Sequence, residues 1–128
     1  MHMLSQNAAA AYRKVDLDAR IEASGGEDLT RICLEEAVAA LRQAELACGQ
    51  GAGRGAIRDP LSRAHSIALW LCRGVADDNP LREALLEFYG GMAALIRRNI
   101  SMPRSGDIAQ IRGDFDDLLK AARAVQAA

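Results

Sequence analysis

The sequence predicts an all-α domain, an antiparallel four-helix bundle preceded by a short N-terminal helical cap and an extended arm. Three observations carry that expectation. Half of the 128 residues are hydrophobic yet only 4% are aromatic, and alanine dominates the apolar set, which favours helices because it loses almost no side-chain entropy. Apolar residues recur at helical spacing in four stretches, separated by breaks rich in glycine or marked by proline. The exception is Val15 to Ser24, where every odd position is apolar and every even one polar, the pattern of a half-buried strand. No other segment reads as a strand that could pair with it, so it is expected to lie as an arm along a helical surface.

In chain order, residues 1–26 form the cap and arm and residues 27–128 the bundle, a single domain overall. The cap is a turn or two of helix in Ser5 to Tyr12, rich in alanine and anchored only by Tyr12. The first long helix begins after Gly25-Gly26, with Ser24 and Glu27 spaced for a capping box, and runs to the cluster Gly49, Gly51, Gly53. Its apolar face holds Leu29, Ile32, Cys33, Ala37, Ala40, Leu41, Ala44 and Cys48.

The second helix starts near Arg54 or Ile57 and ends around Gly74, presenting Ile57, Leu61, Ala64, Ile67, Ala68 and Leu71. Pro60 fits a first-turn position, or else delays the start to Asp59. Asn79-Pro80 reads as an N-cap followed by the first residue of the third helix, whose apolar positions are Leu81, Leu85, Phe88, Met92, Leu95 and Ile96. Gly90-Gly91 in its interior costs about 1 kcal/mol per residue relative to alanine, so the pair either permits close packing or marks a bend. The fourth helix follows Pro103 with a cap at Ser105 and turns Ile108, Ile111, Phe115, Leu118, Leu119, Ala122 and Val125 inward. Short connections imply antiparallel neighbours.

Composition narrows function. Sixteen basic against seventeen acidic residues give a formal charge of -1, without the broad positive field that nucleic acid or an anionic membrane requires. Neither is expected as a partner. Cys33, Cys48 and Cys72 are odd in number and widely spaced, which fits neither a disulfide framework nor a zinc site and points to a reducing, cytoplasmic compartment. No stretch approaches the roughly 20 apolar residues of a membrane span.

Catalytic patterns are equally sparse, and neither an enzyme nor a bound metal or cofactor is expected. His65 is the only histidine outside the opening tripeptide, and no Glu-x-x-His pair exists to build the di-iron site of ferritin-like bundles. The pairs Glu35-Glu36, Asp77-Asp78 and Asp116-Asp117 diverge on a helix, because adjacent residues do not face each other. Gly49 to Gly55 lacks the Gly-Lys-Ser/Thr ending and the preceding strand of a phosphate loop and reads as a linker. Trp70 lies off the apolar stripe of its helix, where it either packs a second surface or anchors a partner.

Several of these residues stand in a familiar order. Ala11-Tyr12 is followed by Ile21-Glu22-Ala23 and, eight positions after Ile21, by Leu29; then come Arg63-Ala64 with Ile67 and Leu71, and Leu85, Phe88-Tyr89 and Met92, with Arg97-Arg98 and Asn99 after them. From about Ala11 to Val125 the chain resembles the FliS-type flagellin export chaperones. It departs from their pattern where Gly25-Gly26 replaces Ser-Pro, where Cys33-Leu34-Glu35-Glu36-Ala37 replaces Leu-Tyr-Asp-Gly-Ala, and where Gly91 replaces a tyrosine.

The resemblance implies a cytoplasmic binding protein that captures the disordered C-terminal segment of flagellin, prevents premature polymerisation and serves the flagellar export apparatus. Tyr12, Val15, Leu17 and Ile21 are then expected as arm anchors that shield a groove until client displaces them. Leu34, Leu41, Leu85, Tyr89 and Met92 are expected to line the groove, although each helical position fits the bundle core equally well. Two other classes share these features: a small helical regulatory factor or paralogue binding a different flagellar partner, and a client-free bundle that uses its apolar stripes to self-associate.

Overall fold

A computed structural model describes the backbone of residues 26–127 and the side chains of residues 28–124. The cap, the arm with Tyr12, Val15, Leu17 and Ile21, the Ser24–Glu27 capping box and the Val125 side chain lie outside the described residues. The chain divides into two compact units, Met1–Ile32 and Cys33–Ala128. In the first, the described residues form the opening turns of a helix, with Asp28 and Arg31 paired at 3.7 Å one turn apart.

The described chain is all-helical: α1 (Gly26–Gly49), α2 (Arg54–Arg73), α3 (Arg82–Ser101) and α4 (Ser105–Ala127). Within Cys33–Ala128 these helices form an antiparallel four-helix bundle. Charged pairs record the register between α1 and α4: Glu35 meets Arg123 at 3.6 Å, Asp116 accepts from Arg42 at 3.2 Å, and Glu45 accepts from Arg112 at 2.8 Å. Moving forward along α1 means moving backward along α4. Gln43 accepts from Arg63 on α2 at 2.8 Å, and Arg54 at the start of α2 donates to the Ser101 carbonyl at the end of α3 at 2.7 Å, taking up one of the carbonyls a helix end leaves unpaired.

Each helix boundary has a local chemical cause. Behind α1, the Ala52 N–H donates to the Ala47 carbonyl at 2.9 Å and the Gly51 N–H to that of Cys48 at 3.2 Å, with Gly51 at φ +66°. That is a Schellman cap, whose left-handed residue favours glycine; the glycine cluster therefore serves as helix punctuation. Gly53, extended at ψ 161°, precedes α2, so the helix starts at Arg54 and Pro60 sits in its second turn. The first-turn placement expected for Pro60 is corrected: Gly53 sets the break before proline can. The N–H that proline lacks leaves the carbonyl of Ala56 unpaired within the helix, and Ala56 is exposed, so water can reach it.

The N-cap position expected for Asn79 is corrected to Leu81, which has no side-chain cap bond; Asn79 instead folds the turn ahead of the helix, its Oδ1 accepting the Leu81 N–H at 2.8 Å. The regular helix begins later than Pro80, at Arg82, because the Arg82 N–H closes a tighter turn onto the Asn79 carbonyl at 3.0 Å. At α4 the cap moves the other way. Ser105 is already helical, the Ile108 N–H bonds to the Arg104 carbonyl at 3.0 Å, and the side chain that serves this terminus is Asn99 of α3. Its Oδ1 accepts the Arg104 N–H at 2.8 Å while its Nδ2 donates to the Leu95 carbonyl at 2.9 Å and to Asp107 at 3.2 Å. Asn99 is fully buried, and one amide satisfies both sides of the α3–α4 turn.

The core is built of small and branched side chains. α2 buries the six residues its sequence pattern selects, Ile57, Leu61, Ala64, Ile67, Ala68 and Leu71. On α1 the buried set widens to include Leu34 and Val38 beside Cys33, Ala37, Ala40, Leu41 and Ala44, as expected of a helix that contacts both α2 and α4. Ile108, Ile111, Phe115 and Leu119 close the bundle from α4. On α3 the expected face is corrected. The buried line is Tyr89, Ala93, Ile96 and Asn99, while Leu81 precedes the helix and is 62% exposed.

Gly90 and Gly91 are exposed within an unbroken α3, and a methyl group at either position would meet nothing within 4 Å. Neither internal close packing nor an interruption of the helix explains them. Gly90→Ala is expected to raise stability by about 0.8–1 kcal/mol through helix propensity and a less free unfolded chain, read as a higher urea midpoint.

Arg112 holds the Glu45 carboxyl below the usual carboxylate range, first through its hydrogen bond and then through its charge and that of Arg42, against an opposing effect of burial. A lowered folded-state value contributes stability above the ordinary glutamate pKa of about 4.3 and loses it as the pH falls through the folded value. Between pH 6 and pH 3, the urea midpoint of Glu45→Gln is therefore expected to fall less than that of the parent protein.

Candidate functional site

α3 carries two apolar lines. The first, Tyr89, Ala93 and Ile96, is buried. The second, Leu85, Phe88, Met92 and Leu95, repeats at helical spacing beside it and is only half-buried. The difference follows from packing: α3 lies against α2 over a longer stretch than against α4, so the flank toward α4 is covered unevenly. At the Asn99 end side-chain bonds tie the two helices together, and around Phe88 a cleft lies against α4.

Phe88 marks the opening. Its ring meets Phe115 of the core edge-on at 6.1 Å between centroids and Tyr89 at 5.8 Å, geometries that aromatic quadrupoles favour. Its other side lines a shallow cleft of about 330 Å³ with Asp114, Asp117, Leu118 and Ala121 of α4. The floor is thus apolar and one rim acidic. Asp116, between the two rim aspartates, points the other way and accepts from Arg42 on α1. Asp117 lies in the field of Arg112, and neither Asp114 nor Asp117 forms an ion pair among the described residues.

The groove residues expected from sequence divide by burial. Leu85 and Met92 lie on the half-exposed line of α3. Leu34, Leu41 and Tyr89 are 1%, 0% and 4% exposed, so in this structure they are packed in the core and a partner reaches them only if helices part. Phe88 and Leu118, the two large apolar side chains of the cleft, belong to the faces the sequence turns inward. What could have singled them out is their position at the edge of the stripes on two helices that follow each other in the chain.

Cys33, Tyr89 and Trp70 lie outside the cleft lining. Burial, followed by the nearby Glu36 charge, pushes the Cys33 thiol up to about 11, which keeps it protonated at neutral pH and poorly nucleophilic. Tyr89 is likewise raised, by burial first and then by Cys72 and Cys33. Trp70 is 36% exposed, and its indole comes within 3.9 Å of the position a Cβ on Gly74 would take, at the C-terminal end of α2. Among the described residues no group of three His, Cys, Asp or Glu side chains is placed to hold a metal ion, and no helix is long and apolar enough to cross a membrane.

The site offers apolar contact and a rim of negative charge. Searches of protein-family models and of curated proteins find no match to this chain.

Proposed function

We propose that this chain is a cytoplasmic export chaperone that binds the disordered C-terminal segment of flagellin, holds it back from premature polymerisation and hands it to the flagellar export apparatus. The observation that carries this function is the half-exposed line Leu85, Phe88, Met92 and Leu95 on α3, of which Phe88 lines a shallow cleft against α4. A disordered segment must bury much apolar surface to offset the entropy of its own ordering, and an amphipathic helix laid along a groove between helices does so with anchors three and four residues apart. The order of motifs from Ala11 to Val125, similar to that of FliS-type chaperones, supports the same partner.

Calorimetric titration of the full chain with the C-terminal segment of flagellin from the same organism tests it. Binding at micromolar concentration or tighter, with a large negative heat-capacity change from coupled folding, is the expected result, and Met92→Asp is expected to weaken it at least tenfold by placing a charge in the apolar line. A folded protein that gives no heat contradicts the proposal. One observation favours a second reading: Cys33 to Ala37 depart from the family pattern, as they would in a regulatory factor or paralogue that keeps the bundle and binds a different flagellar partner.

A further inference from the structure

One face of α3 is turned to solvent along the length of the helix. Ala84, Glu87, Gly91, Ala94, Arg98 and Ser101 follow one another at spacings of three and four residues, and every one of them is exposed. At about 100° per residue this line runs opposite the buried Tyr89, Ala93 and Ile96.

Charge on this face is divided by position. Glu87, with Glu83 one turn before it, lies in the N-terminal half of the helix, and Arg98 lies in the C-terminal half. Elsewhere in the bundle opposite charges meet across helices, as Glu35 meets Arg123 and Glu45 meets Arg112; Glu87 and Arg98 make no ion pair among the described residues. The helix dipole favours Glu83 in the first turn and Arg98 in the last, but it fades before Glu87, and two glutamates four residues apart repel each other. Glu87 and Arg98 are separated by about 16–17 Å along the helix, too far to neutralise each other.

A second copy of the chain supplies the missing counter-charges. When two α3 helices run antiparallel with Gly91 of each opposite Ala94 of the other, Glu87 of each meets Arg98 of the other, and Ala84 meets Ser101. A parallel pairing instead sets Glu87 against Glu87 and Arg98 against Arg98. Charge therefore selects the antiparallel arrangement, in which one patch is its own complement about a two-fold axis. At its centre Gly91 and Ala94 leave little side chain between the backbones, so the longer Glu87 and Arg98 can span the gap on either side. The same contact accounts for a glycine that lowers helix propensity and that no neighbour within the bundle requires.

We infer that the outer face of α3 joins two copies of this chain in an antiparallel two-fold dimer, held by reciprocal Glu87–Arg98 pairs around a Gly91–Ala94 centre. One helix face is smaller than the roughly 800 Å² per partner of a standard interface, so the dimer dissociates on dilution. It does not depend on the client-binding reading, which stands or falls separately.

Sedimentation equilibrium of the full chain, over a hundredfold range of concentration reaching the millimolar, tests it. The parent is expected to show a reversible monomer–dimer equilibrium that weakens as salt screens the exposed pairs. Glu87→Arg and Arg98→Glu each place like charges at both contacts and are expected to weaken self-association at least tenfold. An equimolar mixture of these two variants is expected to dimerise as tightly as the parent, because the two arginines of one copy meet the two glutamates of the other; the chain carrying both substitutions is expected to do the same. Gly91→Leu, with nothing within 4 Å of an added Cβ, is expected to fold and to lose at least tenfold in self-association. Thermal unfolding checks that each variant is folded. A parent that stays monomeric throughout, a folded single variant that dimerises as the parent does, or a mixture that associates no better than its components overturns the inference.

Discussion

Phe115→Ala is expected to destabilise the protein by about 3–5 kcal/mol, the range for removing a large aromatic ring from a packed core. Phe115 is fully buried and its ring takes the edge-on contact from Phe88, so the truncation opens a cavity and removes the support beneath the cleft. Against a total stability of about 5–15 kcal/mol for a domain of this size, the loss is a large fraction and is read directly from urea or thermal unfolding. Phe115→Leu keeps most of the volume and is expected to cost less than half as much. A site built on Phe88 predicts in addition that the leucine variant, though folded, binds its partner less well, because the ring holding Phe88 in place is gone.

Asn99→Leu is expected to cost about 2–4 kcal/mol. The side chain is close in size and remains apolar enough for the core, so the loss reports hydrogen bonding. The Arg104 N–H loses its acceptor and Asp107 its amide partner, and each unpaired polar group costs about 1–3 kcal/mol where water cannot replace the lost partner. Asn99→Asp preserves the acceptor for Arg104 but sets a second carboxylate against Asp107. Burial and the like charge disfavour its ionised form, so its deficit is expected to be large at pH 7 and smaller at pH 4, where denaturant midpoints of this variant and the parent converge. A pH-independent deficit would show that the contact with Asp107 contributes little.

The parts of the fold visible in the sequence are those set by local chemistry. α2 reads correctly residue by residue because its apolar stripe is narrow, with Arg58, Ser62, Ser66 and Arg73 exposed around it. The end of α1 reads correctly because a left-handed cap favours glycine and Gly51 supplies it. α3 is harder. Its apolar residues span a wide arc, from Leu86 on one side to Leu95 on the other, and periodicity alone does not say which side meets α2; Tyr89 and Ala93 therefore emerge as core only when the helices are placed. Asn99 leaves no periodic trace at all. Its role depends on Arg104 and Asp107 across a turn, a relation between two helices that no single-helix pattern contains.

The candidate site was legible to a similar degree. Leu85 and Met92 stand out in the sequence by their likeness to a family motif, and they lie on the half-exposed line. Leu34 and Leu41 carry the same apolar character and are buried, because α1 is enclosed by its neighbours where the flank of α3 is not. The acidic rim was hidden for another reason. Asp116 and Asp117 read as a diverging pair, and only the placement of α4 shows that Asp116 turns to Arg42 while Asp117 joins Asp114 beside the cleft.

Hydrogen exchange followed by mass spectrometry, on the full chain with and without the C-terminal segment of flagellin, tests the central claim most directly, because it reads both partners at once. The flagellin segment, fully exchanging when free, is expected to become protected over about three helical turns as it folds on the bundle, and new protection on the protein is expected in peptides covering residues 84–95 of α3 and 114–121 of α4. Saturating flagellin segment that remains unprotected, beside a bundle whose exchange does not change, would contradict a client-binding role for this chain.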